Sequence, residues 1–187
     1  IIFSFVYWGF GFLRMGTTGF TAQAVGAGDE AEVRTALWRA LLLAVGLGLI
    51  LIALQQPVSA VSLSLMNGSD NVDALTRDYI AMRIWGAPAA LALFALMGCL
   101  IGLGHSKTLL LVQVFLNGLN ITLDIWFAGF LGMGVEGIAL GTAVAEWSSV
   151  GLALFLVIRI LRRRHSDREA FVPLPRLRDW IRLRHTL

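Results

Sequence analysis

An all-α, polytopic membrane helix bundle with five transmembrane helices is the fold class this sequence predicts, on three observations. Of 187 residues, 57% are apolar, about 107 residues and enough for five spans of roughly 20. Charged residues make up 14%, against about 25% in a soluble domain that must cover its surface with them. The apolar residues fall in long runs without the polar–apolar alternation of β-barrel strands. Together with a mean hydropathy of +0.76, these features exclude an ordinary water-soluble enzyme.

The first run, residues 1–24, is apolar from its first residue and has no initiator Met or signal-peptide pattern, so the chain reads as a fragment opening in mid-span. The second covers 37–62 and the third 79–103, with Pro88 expected to bend the third because proline removes a backbone hydrogen bond. The fourth covers 108–131 and the fifth 136–161. Between them lie a Gly-Asp helix stop and start near Gly28 and Asp29, a turn cluster at 67–71, and tight hairpins at 104–107 and 132–134. Connections this short predict an up-and-down bundle. Gly98 with Gly102, and Gly137 with Gly141, have the four-residue spacing that lets membrane helices approach closely.

The net charge of +3 divides unevenly. Residues 1–158 hold six basic and nine acidic side chains, and residues 159–187 hold nine basic and three acidic. The basicity belongs to a tail, which favours a membrane surface over nucleic acid as its partner. Arg34, Arg39, Lys107, Arg162, Arg163 and Arg164 collect on one side, Arg77 and Arg83 on the other. The positive-inside rule therefore places the 25–36 loop, the 104–107 hairpin and the tail in the cytoplasm. Domain organisation follows as a transmembrane bundle over 1–161 and a cytoplasmic basic linker over 162–187. In that linker Phe171, Leu174, Leu177 and Trp180 interleave with Arg176, Arg178 and Arg182, a pattern that suits either a solvated linker or surface binding.

Ionisable groups inside the membrane each need a reason. Asp124 lies well inside the fourth span, and Gln113, Asn117, Asn120 and Asp124 are spaced 4, 3 and 4, sharing one helical face. Such a stripe either hydrogen-bonds to neighbouring helices or lines a polar cavity. A carboxylate beside asparagine can take up a proton or coordinate a cation with the amide oxygen. Thr142, Glu146 and Ser149 form a second stripe on the fifth span, and the short 132–135 turn packs the two spans side by side. Arg14 is the third buried charge. Its depth, counted from the 25–36 loop, nearly agrees with that of Glu146 counted from the far end of its own span, so an Arg14–Glu146 ion pair is expected, the alternative being that Arg14 pairs with a residue missing from this fragment.

Little else carries chemistry. Cys99 stands alone in an apolar run, so the chain can form no internal disulfide or cysteine-based metal site. His105, His165 and His185 fall in loops or tail. Gly9, Gly11, Gly16 and Gly19 have no preceding strand and form no phosphate loop. Glu30 and Glu32 read as solvated loop charges. Trp8, Trp85, Trp126 and Trp147 read as lipid-facing or packing residues, with contact to a flat cation as the alternative. No enzyme activity and no cofactor are implied.

The segment Phe12-Leu13-Arg14-Met15-Gly16-Thr17-Thr18-Gly19, followed by Thr21-Ala22-Gln23-Ala24, resembles the second helix of DinF-like MATE (multidrug and toxic compound extrusion) transporters. Residues 79–88 (YIAMRIWGAP) resemble the start of their fourth helix. Asn120-Ile121-Thr122-Leu123-Asp124 resembles the fifth-helix motif, and Gly137-Ile138-Ala139-Leu140-Gly141-Thr142 with Ala145-Glu146 the sixth. The resemblance runs in order over about residues 5–160. It implies helices two to six of the amino-terminal lobe of a twelve-helix transporter, in an inner (plasma) membrane. It further implies export of small organic, often cationic compounds in exchange for protons or sodium. Asp124 and Asn120 match the family's proton or cation site, and Thr142 matches a residue grouped with it. Gln113, Asn117, Glu146 and Arg14 remain cavity-lining candidates from facing and depth. The first helix, with another acidic residue of that site, and the second lobe are not among these residues, so the remaining helices of the transporter become required partners.

Two readings compete with the antiporter: a lipid-linked-sugar flippase of related fold, which would favour a basic cavity, and a non-transporting membrane scaffold.

Overall fold

The structure is a computed structural model and describes residues 8–66 and 70–164. Among these residues the regular structure is wholly helical. Helix α1 covers Gly11–Gly26, α2 Glu30–Ala53, α3 Gln55–Met66 and α4 Asp70–Arg83. A 3₁₀ turn, Ile84–Gly86, leads into α5, Ala87–Gly102. Helix α6, Ser106–Asp124, runs on into a π-turn, Ile125–Phe130, and α7 covers Gly134–Arg164.

Four described segments are long and apolar enough to cross a membrane: Glu30–Ala53, Val72–Gly102, Ser106–Phe130 and Gly134–Arg164. The expected first span is described only from residue 8, and α1 has 16 residues, so five spans are not counted among the described residues. The second span differs from expectation at both ends. Asp29 caps α2, its side chain accepting from the Glu32 amide at 2.9 Å, so the helix begins seven residues before Leu37. It then breaks at Leu54, and a separate helix follows. The third span is interrupted where proline predicts it. The Ile84–Gly86 turn precedes Pro88, which occupies the first turn of α5, where a missing N–H costs nothing. The turn cluster at 67–71 lies mostly outside the described residues, and the tail beyond Arg164 lies wholly outside them. Residues 162–164, assigned to the linker, are the last turn of α7.

Two connections show why glycine is required. Gly28 and Gly104 adopt φ of +69° and +74°, the left-handed region that costs a Cβ-bearing residue about 1–2 kcal/mol. Around Gly104 the His105 amide donates to the Leu100 carbonyl and the Gly104 amide to that of Ile101, which satisfies carbonyls left open at the end of α5.

Helix α5 is the axis of the bundle. Its sequence, APAALALFALMGCLIG, is apolar on every side, as a helix enclosed by others must be, and all of Ala87–Phe94 except Phe94 is buried. Helices α1, α2 and α7 pack around it. The main core joins Leu37 of α2, Leu96 and Leu100 of α5, Val112 of α6, and Val157 and Leu161 of α7. Small residues set the closest approaches. A Cβ on Gly98 would lie 2.6 Å from the Arg14 carbonyl oxygen, and one on Gly102 would lie 2.6 Å from Thr21 Cβ. Helix α6 is peripheral. Only Val112 is buried along it, and its main partner is α7.

Candidate functional site

Helices α6 and α7 approach through glycine. A Cβ on Gly137 would meet the backbone of Phe127 and Ala128 at 3.0–3.1 Å, and one on Gly141 would lie 2.6 Å from Asp124 Oδ1. The missing side chain of Gly141 is thus the space in which the Asp124 carboxylate rests. From this contact the polar groups assemble. The Asn120 amide nitrogen donates to Thr142 Oγ1 at 3.0 Å and lies 3.4 Å from Asp124 Oδ1. The Thr142 hydroxyl spends its proton on the Ile138 carbonyl at 2.9 Å, which leaves its oxygen to accept from Asn120. Asp124 and Asn120 are both half-buried. The π-turn follows Asp124 directly, and such turns recur at functional sites.

The other stripe residues separate from this cluster. Asn117 is exposed and makes no hydrogen bond among the described residues. Gln113 faces a groove of about 220 Å³ that it shares with Arg14, Met97, Ile101, Ser106, Leu109 and Leu110. Ser149 is fully buried on α7.

The expected Arg14–Glu146 ion pair does not form. Arg14 is exposed on α1, whereas Glu146 is 8% exposed and pairs with Arg83. The contact is bidentate, with Nη1–Oε2 at 2.8 Å and Nη2–Oε1 at 2.5 Å. Packing explains the correction: α4, not α1, lies against α7, and Arg83 also matches Glu146 in depth. Glu146 lies 12 residues beyond Gly134 and Arg83 lies 13 beyond Asp70, about 18 and 20 Å along their helices. Measured from that shared end, Arg83 is the matching charge, and the fork of a guanidinium suits a carboxylate. The sequence carries the signal in Arg83, four residues inside the expected third span.

Glu30 and Glu32 are also corrected. They stand in the first turn of α2, not in a solvated loop. Glu30 accepts from Arg164 at the end of α7 at 2.7 Å, and Glu32 pairs with Arg39 at 3.2 Å. Arg34, counted among the loop charges, is 2% exposed within α2. Trp147 has a specific role beyond packing, since its indole N–H donates to the Trp85 carbonyl at 3.1 Å. Among the described residues no group of three His, Cys, Asp or Glu side chains is placed to hold a metal.

The chain is 39% identical over 153 residues to DNA damage-inducible protein F of Escherichia coli, a match covering 82% of this chain and 33% of that protein. It is 29% identical over 164 residues to a probable multidrug resistance protein NorM of Thermotoga maritima, covering 85% and 35%. It thus spans about a third of the length of the curated relatives it matches. Among solved structures it resembles a MOP superfamily transporter from Pyrococcus furiosus, with a TM-score of 0.73 and 27% identity over 88% of this chain and 37% of that one. The family model MatE matches residues 1–126. With that match over two thirds of its length, and with the helical membrane architecture described above, the chain belongs to the MATE transporter family.

Proposed function

We propose that this chain forms part of the amino-terminal lobe of a secondary active antiporter, which exports small organic, often cationic compounds in exchange for protons or sodium. Residues 1–161 supply helices two to six, and 162–187 link the lobes on the cytoplasmic side of the inner (plasma) membrane. Asp124, Asn120 and Thr142 hold the coupling ion. The observation that carries this reading is the Asn120 amide, bonded to Thr142 on α7 and close to Asp124 on its own helix.

Two chemistries suit the cluster. A proton taken up by Asp124 turns an acceptor into a donor and removes a charge from the membrane interior. A sodium ion would instead use oxygen ligands: Asp124 Oδ, Thr142 Oγ1 and, after a half-turn of its amide, Asn120 Oδ1. In either case the ion changes the attraction between α6 and α7. It can drive export only through a difference in its affinity for the inward- and outward-facing states. Gln113 and Arg14 line a groove along α6, and Asn117 stands on the same helical face between Gln113 and the site.

The test is efflux of a fluorescent organic cation from proteoliposomes carrying the complete transporter, driven by a pH or a sodium gradient. The expected result is gradient-driven efflux that Asp124→Asn abolishes while the protein remains folded. Undiminished efflux in that variant would refute the assignment. No efflux from the wild type across a range of compounds would favour the flippase or scaffold.

A further inference from the structure

Three features coincide one helical turn from Thr142. The first is the buried Arg83–Glu146 pair, whose side chains are 6% and 10% exposed. The second is Gly86, where a Cβ would lie 2.5 Å from both Arg83 Nη1 and Glu146 Oε2, so the ion pair fills the space that any other residue's side chain would need. The third is the Trp147 indole, donating to the carbonyl of Trp85. That carbonyl lies at the 3₁₀ break, where its own three-residue partner would be Pro88, which has no N–H. Adjacent residues of α7 thus hold the break at two points, Glu146 through Arg83 just before it and Trp147 through Trp85 within it.

The same helix carries the ion cluster. Gly141 backs Asp124, Thr142 accepts from Asn120, and Glu146 follows Thr142 by four residues on the same face. We propose that the Arg83–Glu146 pair and the Trp147–Trp85 hydrogen bond clamp the Ile84–Gly86 break to α7, so that ion occupancy at Asp124 and the bend of the third span change together. Arg83, Glu146 and Trp147 are then positioning residues, acting through α7 on the ion site. The inference rests on the ion-site reading of Asp124. Its physical content is a discontinuity, the kind of element that can take two arrangements, tied to the site by named contacts.

The experiment uses the complete transporter in proteoliposomes and reads two quantities, the maximal efflux rate per folded protein and the half-saturating concentration of the driving ion. Asp124→Asn serves as the control for the underlying reading, and full efflux in that variant overturns the reading itself. Single removal of Arg83 or Glu146 breaks the buried pair while keeping one of its two charges, so the pair is tested as Arg83→Met with Glu146→Gln, which removes both charges together. Trp147→Phe removes the indole donor at a half-exposed position and keeps a smaller aromatic ring, so it decides the matter even where the double variant fails to fold. The expected result is a half-saturating concentration raised about fivefold in Trp147→Phe and about tenfold in the double variant, within the range typical of site-to-site coupling. An unchanged half-saturation, with or without a lower maximal rate, while Asp124→Asn abolishes efflux, would leave the pair a purely structural feature and overturn the clamp.

Discussion

Replacing Gly141 by alanine separates the proposed ion site from the fold that carries it. The added Cβ would stand 2.6 Å from Asp124 Oδ1, and 3.3 Å from both the Asp124 nitrogen and the Leu123 carbonyl carbon. Ordinary contact begins near 3.4 Å, so the backbone must yield about a tenth of an ångström and the carboxylate oxygen nearly a whole one. Backbone strain is therefore slight, and alanine's better helix propensity, about 1 kcal/mol over glycine, offsets much of it. We expect melting in detergent to shift by less than about 1 kcal/mol equivalent. The carboxylate has no such relief. Turning away from Gly141 moves Oδ1 out of the space it shares with the Asn120 amide, and the affinity for the driving ion should fall about tenfold, the equivalent of one lost hydrogen bond to a charged group. Efflux measured against ion concentration checks it. Gly151→Ala on the same helix, where a Cβ meets nothing within 4 Å, is the control. If Gly141→Ala keeps wild-type ion dependence, Asp124 is not where the ion binds in the position described. A large loss of stability would show instead that α6 cannot give way there.

Gly102→Ala should destabilise by about 1–3 kcal/mol, the usual cost of overpacking, because its Cβ would meet Thr21 Cβ and the Thr18 carbonyl at 2.6 and 2.8 Å; Gly16→Ala, with open space around it, should not, and thermal melts compare the two. Glu146→Gln alone should be more destabilising than Glu146→Gln with Arg83→Met, since the single change leaves Arg83 buried with a neutral partner, a defect of about 3–5 kcal/mol; equal melting temperatures would contradict this. Glu30→Gln breaks the pair with Arg164 at a site where both side chains are about one-third exposed, so a loss of at most about 1 kcal/mol is expected, shrinking as salt is added. Asp29→Ala removes the cap of α2 and should cost about 1 kcal/mol, read as earlier hydrogen exchange at the Glu32 amide.

Helix type and the polar face of α6 were legible in the sequence for physical reasons. Apolar runs near 20 residues have few uses outside a bilayer, and spacings of 4, 3 and 4 admit one helical face. The Asn120–Asp124 spacing and the short turn at 132–134 placed Thr142 opposite them, as the structure finds. What hydropathy could not show is where a helix starts within polar sequence. Asp29 begins α2 at Glu30 because a cap and an amphipathic first turn, with Val33 and Leu37 buried, outweigh the charges that made this stretch read as a loop. Pairing was the second failure. Depth constrains one coordinate of a buried charge and leaves its direction open. Arg14 and Arg83 both reached Glu146 in depth, but only α4 packs against α7 on the side where Glu146 points.

Helix α7 explains why these parts belong to one device. At about 46 Å for 31 residues, it is long enough to touch the polar cluster proposed to hold the ion, the break in the third span and the start of α2. It does so in order along its length: Gly137 and Gly141 against α6, Thr142 at Asn120, Glu146 at Arg83, Trp147 at Trp85, Arg164 at Glu30. An unbroken helix resists bending over such distances, so a shift imposed at Thr142 must be taken up at its other attachments. The Glu30 pair is about one-third exposed and weak and can slide. The Arg83 pair is buried and bidentate and much the costlier of the two to break, so it moves as a unit with α7. The yielding element is then the Ile84–Gly86 turn to which Arg83 is joined, where the α-helical hydrogen bonds are already broken by Pro88.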